Sequence, residues 1–197
     1  MNRMSQPAGT IRSFLDPAEL FRRYFVNTLF DSTFVVLGIL AAATAEPTPD
    51  PEFAISAIVA ASLAIGISTG VSVYEAEHTE GEIRLRRLER AMLSPMRDTQ
   101  IARRLRSARF AVSGVNFLAP IFVALVTTIP ILMYQARILP DFIIASALSS
   151  ALALSIILGA GYYLGKLTGR RPWRKAIRMT VVAVLTFGAL LAIQHLL

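Results

Sequence analysis

Asp31 lies inside "NTLFDSTFVVLGILAAATA", Asn27 to Ala45, a run otherwise apolar enough to cross a bilayer. A carboxylate at the centre of a membrane helix costs on the order of 2.5–3.5 kcal/mol on insertion scales, and less near the interface. It must therefore be protonated, paired or turned toward a wet cavity, and acids so placed commonly mark ion or proton pathways. Asn27 precedes it by four residues and falls on the same helix face, which makes a short polar stripe. The competing reading is an interfacial Asp31 paired with Arg22, Arg23 or an arginine from the connection after the second apolar run.

A second group is denser. "YEAEHTEGE" holds Glu75, Glu77, His78, Glu80 and Glu82 within eight positions. On a helix, Glu75, His78 and Glu82 stand at i, i+3 and i+7, and Glu-x-x-His is the spacing with which carboxylate-bridged metal proteins aim two side chains at one ion. Glu89 continues that stripe by another seven residues. Oxygen and imidazole donors together suit divalent iron, manganese or zinc. The same residues also read as a solvated helix face, because Glu80 to Arg84 and Glu82 to Arg86 are ordinary i, i+4 ion pairs. Gly81 weakens a helix in the middle of the group. Both readings stand on the sequence alone.

The elements that position these residues follow from composition. Of 197 residues, 54% are hydrophobic and 17% charged, with a mean hydropathy of +0.56, whereas a soluble domain carries about a quarter charged residues. An all-α integral membrane bundle is expected. Hydropathy places five spans near 25–45, 53–74, 110–134, 140–165 and 176–197, each close to the roughly 20 residues that a hydrocarbon core of about 30 Å requires. "EPTPDPE" between the first two spans and "QARILPD" between the third and fourth are turns that no helix continues through. The first 24 residues lack an apolar stretch followed by a small-residue cleavage site, so the first span is expected to be its own insertion signal. With no cysteine there is no disulfide, thiolate metal site or nucleophilic thiol.

The net charge of +7 lies mostly between spans, which points to topology and away from nucleic acid. Arg3, Arg12, Arg22 and Arg23 precede the first span, nine arginines from Arg84 to Arg109 follow the second, and Lys166 to Arg178 follow the fourth, leaving Arg137 alone on the other side. The positive-inside rule then puts the N-terminus in the cytoplasm and the C-terminus outside. The organisation expected is a cytoplasmic segment 1–24, spans one and two in 25–74, a cytoplasmic helix and arginine-rich linker in 75–109, and spans three to five in 110–197. The helix of span two is expected to continue into the cytoplasm until Ser94-Pro95 ends or kinks it.

Small residues mark helix contacts. Ser62, Gly66 and Gly70 repeat every fourth position, as do Gly161, Gly165 and Gly169, and each set makes a smooth face that another helix backbone can approach. Ser68, Thr69 and Ser72 offer hydroxyls near the first of these faces, although such hydroxyls usually bond their own backbone. Asn116, Pro120, Thr127, Thr128 and Pro130 interrupt span three, either as a plain kink or as a polar break lining a cavity. His195, near the end of the last span, reads as an interfacial side chain rather than a ligand.

Three segments together resemble the vacuolar iron transporter family: "FDSTFVVLGI", "GISTGVSVYEAE" and "LGKLTGRRPWRKAIRMTVVAVL". The resemblance covers nearly the whole chain and is of the archaeal and bacterial type, with a shortened region after the second helix. It implies five spans, a cytoplasmic N-terminus, the cell membrane of a prokaryote and a homodimer in which the first-helix aspartate, here Asp31, lines the translocation path. The family's second-helix methionine and glutamate positions fall on Thr69 and Val73 here, and Glu75 and Glu77 would supply the missing charge. Met92 and Met96 are the thioethers left in the shortened metal-gathering region.

The function expected is transport of a divalent cation such as Fe2+, Mn2+, Co2+ or Zn2+ out of the cytoplasm, as substrate rather than as a resident cofactor. Glu77, His78, Glu80 and Glu82 would gather the ion, and Asn27, Asp31, Thr69 and Glu75 would carry it through the membrane zone. Exchange against protons follows if metal displaces them from carboxylates. The alternative is a non-transporting scaffold whose arginines bind anionic headgroups. An enzyme is not expected, since the sequence holds no nucleophile and base pairing, no zincin motif and no phosphate loop. The partners expected are membrane lipid, divalent cations and a second copy.

Overall fold

The computed structural model describes residues 17–95, 99–167, 169 and 171–196. Arg3, Arg12, Met96, Arg97 and Arg170 lie outside the described residues, as do the side chains of Arg23 and His195. The described residues form five helices: α1 Pro17–Ala45, α2 Pro51–Met92, α3 Gln100–Gln135, α4 Phe142–Leu167 and α5 Pro172–Leu196. Each contains a stretch long and apolar enough to cross a membrane, and among the described residues there is no strand. The protein is an all-α membrane bundle.

Local chemistry sets the ends. Asp50 caps α2, its Oδ1 accepting the N–H groups of Glu52 at 2.9 Å and Phe53 at 3.1 Å, with Pro51 in the first helical position where a missing N–H costs nothing. α2 stops where Leu93 turns left-handed at φ 51°, just before Ser94-Pro95, a dipeptide that disfavours helix. Thr99 then caps α3 through the N–H of Ala102.

α3 starts at Gln100, nearly three turns before the expected span at 110, so the second half of the arginine-rich connection is helix. Ala102, Leu105 and Ala108 explain this. They recur at helical spacing and are half-buried, while Arg103, Arg104 and Arg106 between them are exposed. Gly81, Leu85 and Leu88 of α2 are half-buried in the same way. At 42 and 36 residues, α2 and α3 are about 63 and 54 Å long, well beyond a hydrocarbon core of about 30 Å.

α1 occupies the centre and touches all four other helices, while α2 packs most extensively on α3 and α4 on α5. Leu37 and Leu40 of α1, Ile58 of α2, Val123 and Ile131 of α3, and Ile157 of α4 are fully buried between them. In lipid this packing rests on close contact rather than on water exclusion, and the small residues supply it. A Cβ on Gly66 would lie 2.7 Å from the carbonyl oxygen of Phe117, and one on Gly70 would lie 3.2 Å from the Phe117 Cβ. Ser113 donates to the Gly70 carbonyl at 2.6 Å across the same seam. Gly161 and Gly165 do the equivalent for α5, where added Cβ atoms would sit 2.8 Å from the Ala176 Cα and 2.6 Å from the Pro172 Cα. Gly169 departs from its set: it has φ +65° with nothing within 4 Å, and it turns the chain between α4 and α5 instead of packing.

Both prolines stay inside α3. Pro120 has no N–H to give the carbonyl four residues back, that of Asn116. The hydroxyl of Thr69 on α2 faces that carbonyl at 3.3 Å, while also lying 2.7 Å from its own Ile65 carbonyl.

Candidate functional site

On α1, Thr28, Ser32, Thr33 and Val36 face the bundle and are buried, whereas Asn27, Asp31 and Val35 form an exposed stripe at i, i+4 and i+8. Asn27 Nδ2 donates to Asp31 Oδ2 at 3.1 Å. That is the one polar contact Asp31 makes among the described residues, and none of the ion pairs found there includes it. Of the arginines that could neutralise it, Arg84 pairs with Glu80, Arg86 with Glu82 and Arg109 with His78, while the side chain of Arg23 lies outside the described residues. Asp31 is thus an outward-facing carboxylate within the apolar stretch Tyr24–Ala45.

The glutamate-rich segment lies on the far part of α2, beyond its apolar stretch. A cleft of about 290 Å³ opens there between α2 and the first turns of α3. Glu77, His78, Glu82 and Glu89 line it from α2, and Arg106 and Arg109 face them from α3. Arg109 is the organising residue. Its Nη1 donates to His78 Nδ1 at 2.6 Å, and its guanidinium carbon sits 5.2 Å from the Tyr74 ring centre and 5.6 Å from that of Phe110. A guanidinium beside a pair of rings that themselves touch, with centres 5.2 Å apart, is held by their quadrupoles as well as by packing. Its Nε is buried with no hydrogen-bond partner.

The other ring nitrogen of His78, Nε2, lies 3.9 Å from Glu82 Oε1. Arg86 approaches the other Glu82 oxygen at 3.7 Å, and Arg84 Nε meets Glu80 Oε1 at 3.2 Å. Every one of these contacts is half-exposed, so each pair contributes roughly 0–1 kcal/mol and is weakened by salt.

The five candidate ligands of this segment are therefore only partly brought together. Glu77, His78 and Glu82 share the cleft, whereas Glu75 is exposed and Glu80 pairs along its own helix, neither lining it. Among the described residues no three histidine, aspartate or glutamate side chains converge as they would around a metal ion. Helical spacing alone put Glu75 in line with His78. The position of α3, which spacing does not give, selects Glu77 instead.

Thr69, expected along the path, directs its hydroxyl to the carbonyls of Ile65 and Asn116. Val73, at the other position implied by the resemblance, is a buried packing residue. Two residues matter more than their sequence context suggested. Asn116 is fully buried, accepts from Thr28 Oγ1 at 2.8 Å and donates to the Val112 carbonyl at 2.8 Å, tying α1 to α3. Its position four residues before Pro120 was the available signal. Arg109 read as one charge of a basic linker, and only the adjacent Phe110 hinted that it sits against rings.

Comparison with known proteins adds no assignment: no protein-family model matches the chain, and no curated protein matches its sequence.

Proposed function

We propose that the chain moves a divalent cation across a prokaryotic cell membrane, out of the cytoplasm, as a pair of identical subunits whose Asp31 faces meet. The observation that carries this reading is the exposure of Asp31 on α1 with Asn27 as its sole polar contact among the described residues. An ionised carboxylate facing acyl chains is unfavourable by a few kcal/mol. A second copy covering the stripe of Asn27, Asp31 and Val35 would remove that exposure and set two carboxylates against one another. Two like charges at close range need a cation or protons between them. Oxygen donors from Asp31 and Asn27 suit a hard divalent ion, Mn2+ or Fe2+ before softer metals. Proton exchange follows from the same competition for the carboxylates. The resemblance in "FDSTFVVLGI" supports the same use of Asp31.

In this reading the cleft between α2 and α3 is the cytoplasmic mouth. His78 and Glu82 are engaged with Arg109 and Arg86 there, so ion capture by Glu77, His78 and Glu82 requires those arginines to release them. Thr69 acts through helix packing rather than as a ligand.

The test is uptake of iron, manganese, cobalt and zinc into proteoliposomes, with and without a pH gradient, for the wild type and Asp31→Ala. The expected result is uptake of at least one ion by the wild type and loss of it in the variant. Equal uptake by both proteins for every ion would remove Asp31 from the path.

A further inference from the structure

We infer that the arginine-rich end of the α2–α3 hairpin is a docking surface for an acidic protein segment with an apolar face. The nine arginines from Arg84 to Arg109 stand against Glu89 and Asp98 alone, which leaves +7, the formal net charge of the entire chain. Everything outside this stretch is balanced. Two of these arginines, Arg84 and Arg86, meet Glu80 and Glu82 just outside the stretch, and much of the remaining charge is unspent. Arg87, Arg90, Arg103 and Arg104 are exposed and make no ion pair among the described residues.

Apolar surface sits within this charge. Leu93, at the tip, is 93% exposed and Met92 beside it 60% exposed, both next to Arg90. An exposed methionine and leucine close in sequence to Arg90 have a composition found at interfaces, where methionine and arginine are enriched. A purely solvated basic tip has no use for them.

Other occupants fit less well. Residues 75–92 of α2 lie beyond the span expected at 53–74, a length of about 27 Å as helix. With the hairpin near the bilayer normal, the tip stands well outside the headgroup zone of its own membrane, which adds only about 5–8 Å to each side of the core. Attraction to charged lipid fades over a Debye length of about 8 Å at physiological salt. A second copy presents the same positive tip and is repelled. Single-stranded nucleic acid is bound by stacking on aromatic rings, and residues 75–109 contain no Phe, Tyr or Trp. An acidic protein segment satisfies both the charge and the apolar tip. This inference is independent of whether the protein moves ions.

The test uses the full chain in phosphatidylcholine nanodiscs and reads the anisotropy of a labelled synthetic peptide with glutamates on one helical face and leucines on the other. A peptide of the same composition with scrambled order, a DNA duplex and phosphatidylglycerol vesicles are the comparisons. Tighter binding of the amphipathic peptide than of the scrambled one is expected. Replacing Arg87, Arg90, Arg103 and Arg104 with Gln should weaken it by about tenfold or more. Changing Met92 and Leu93 to Ser should weaken it by about fivefold or more, the size of an interface contact that is not energetically neutral. Circular dichroism on both variants should show unchanged helicity, since all the sites are exposed. Equal binding of both peptides, indifference to Met92 and Leu93, or preferential binding of DNA or anionic vesicles would overturn the inference.

Discussion

Replacing Gly165 with Ala should destabilise the bundle, while the same change at Gly159, six residues earlier on α4, should not. At Gly165 the new Cβ would lie 2.6 Å from the Pro172 Cα and 2.8 Å from the Pro172 carbonyl oxygen. Both are backbone atoms at the start of α5, so no flexible side chain can move aside. Ordinary carbon contacts fall at about 3.5–4.0 Å, so α5 must retreat by about an ångström along the contact or the chain must bend. Overpacking of this kind costs about 1–3 kcal/mol. Helix propensity offsets part of it, because Ala is favoured over Gly by up to about 1 kcal/mol in a helix interior. The net loss is then about 1–2 kcal/mol, which for a chain of this size corresponds to a fall in Tm of roughly 2–8 °C. Gly159 meets nothing within 4 Å, so Gly159→Ala keeps the propensity gain and should leave Tm unchanged or raised. The assay is thermal unfolding of the detergent-solubilised protein followed by circular dichroism. Equal Tm values for the two variants would refute the claim that the Gly161 and Gly165 face holds α5 against α4.

Two more perturbations probe the architecture. Leu93→Gly should raise stability by about 1 kcal/mol in the same assay, because a non-glycine residue pays roughly 1–2 kcal/mol for the left-handed conformation that Leu93 adopts at φ 51°; a lower Tm would contradict that account of the α2 end. A double-mutant cycle of Thr28→Val and Asn116→Leu, read by denaturant titration, should give a coupling energy of about 0.6 kcal/mol, as for hydrogen bonds between membrane helices generally. A coupling of zero would mean that the 2.8 Å contact between them does not tie α1 to α3.

The five spans and their hairpins were legible because span length and apolarity are set by the bilayer, and because Pro47, Pro49, Pro51 and Pro140 stop helices by local sterics. The small-residue faces at Gly66, Gly70, Gly161 and Gly165 were legible too, since close backbone approach leaves few other residue types. What failed to show is what depends on a neighbour's position. Residues 100–109 looked like a linker because arginine dominates them, and only against α2 do Ala102, Leu105 and Ala108 form a packing face. Whether Glu75 or Glu77 joins His78 depends on where α3 lies. The role of Thr69 depends on a carbonyl freed by Pro120, a proline 51 positions away in sequence. The outward direction of Asp31 depends on which face of α1 the other four helices cover.

Mn2+ binding to the purified protein, followed by the loss of its free electron paramagnetic resonance signal, tests the proposed role of that carboxylate most directly. The predicted result is one Mn2+ per pair of chains in the wild type, competed by protons on acidification, and no such site in Asp31→Asn. Undiminished binding in Asp31→Asn, or a wild-type protein that is monomeric and takes up no Mn2+, would contradict it.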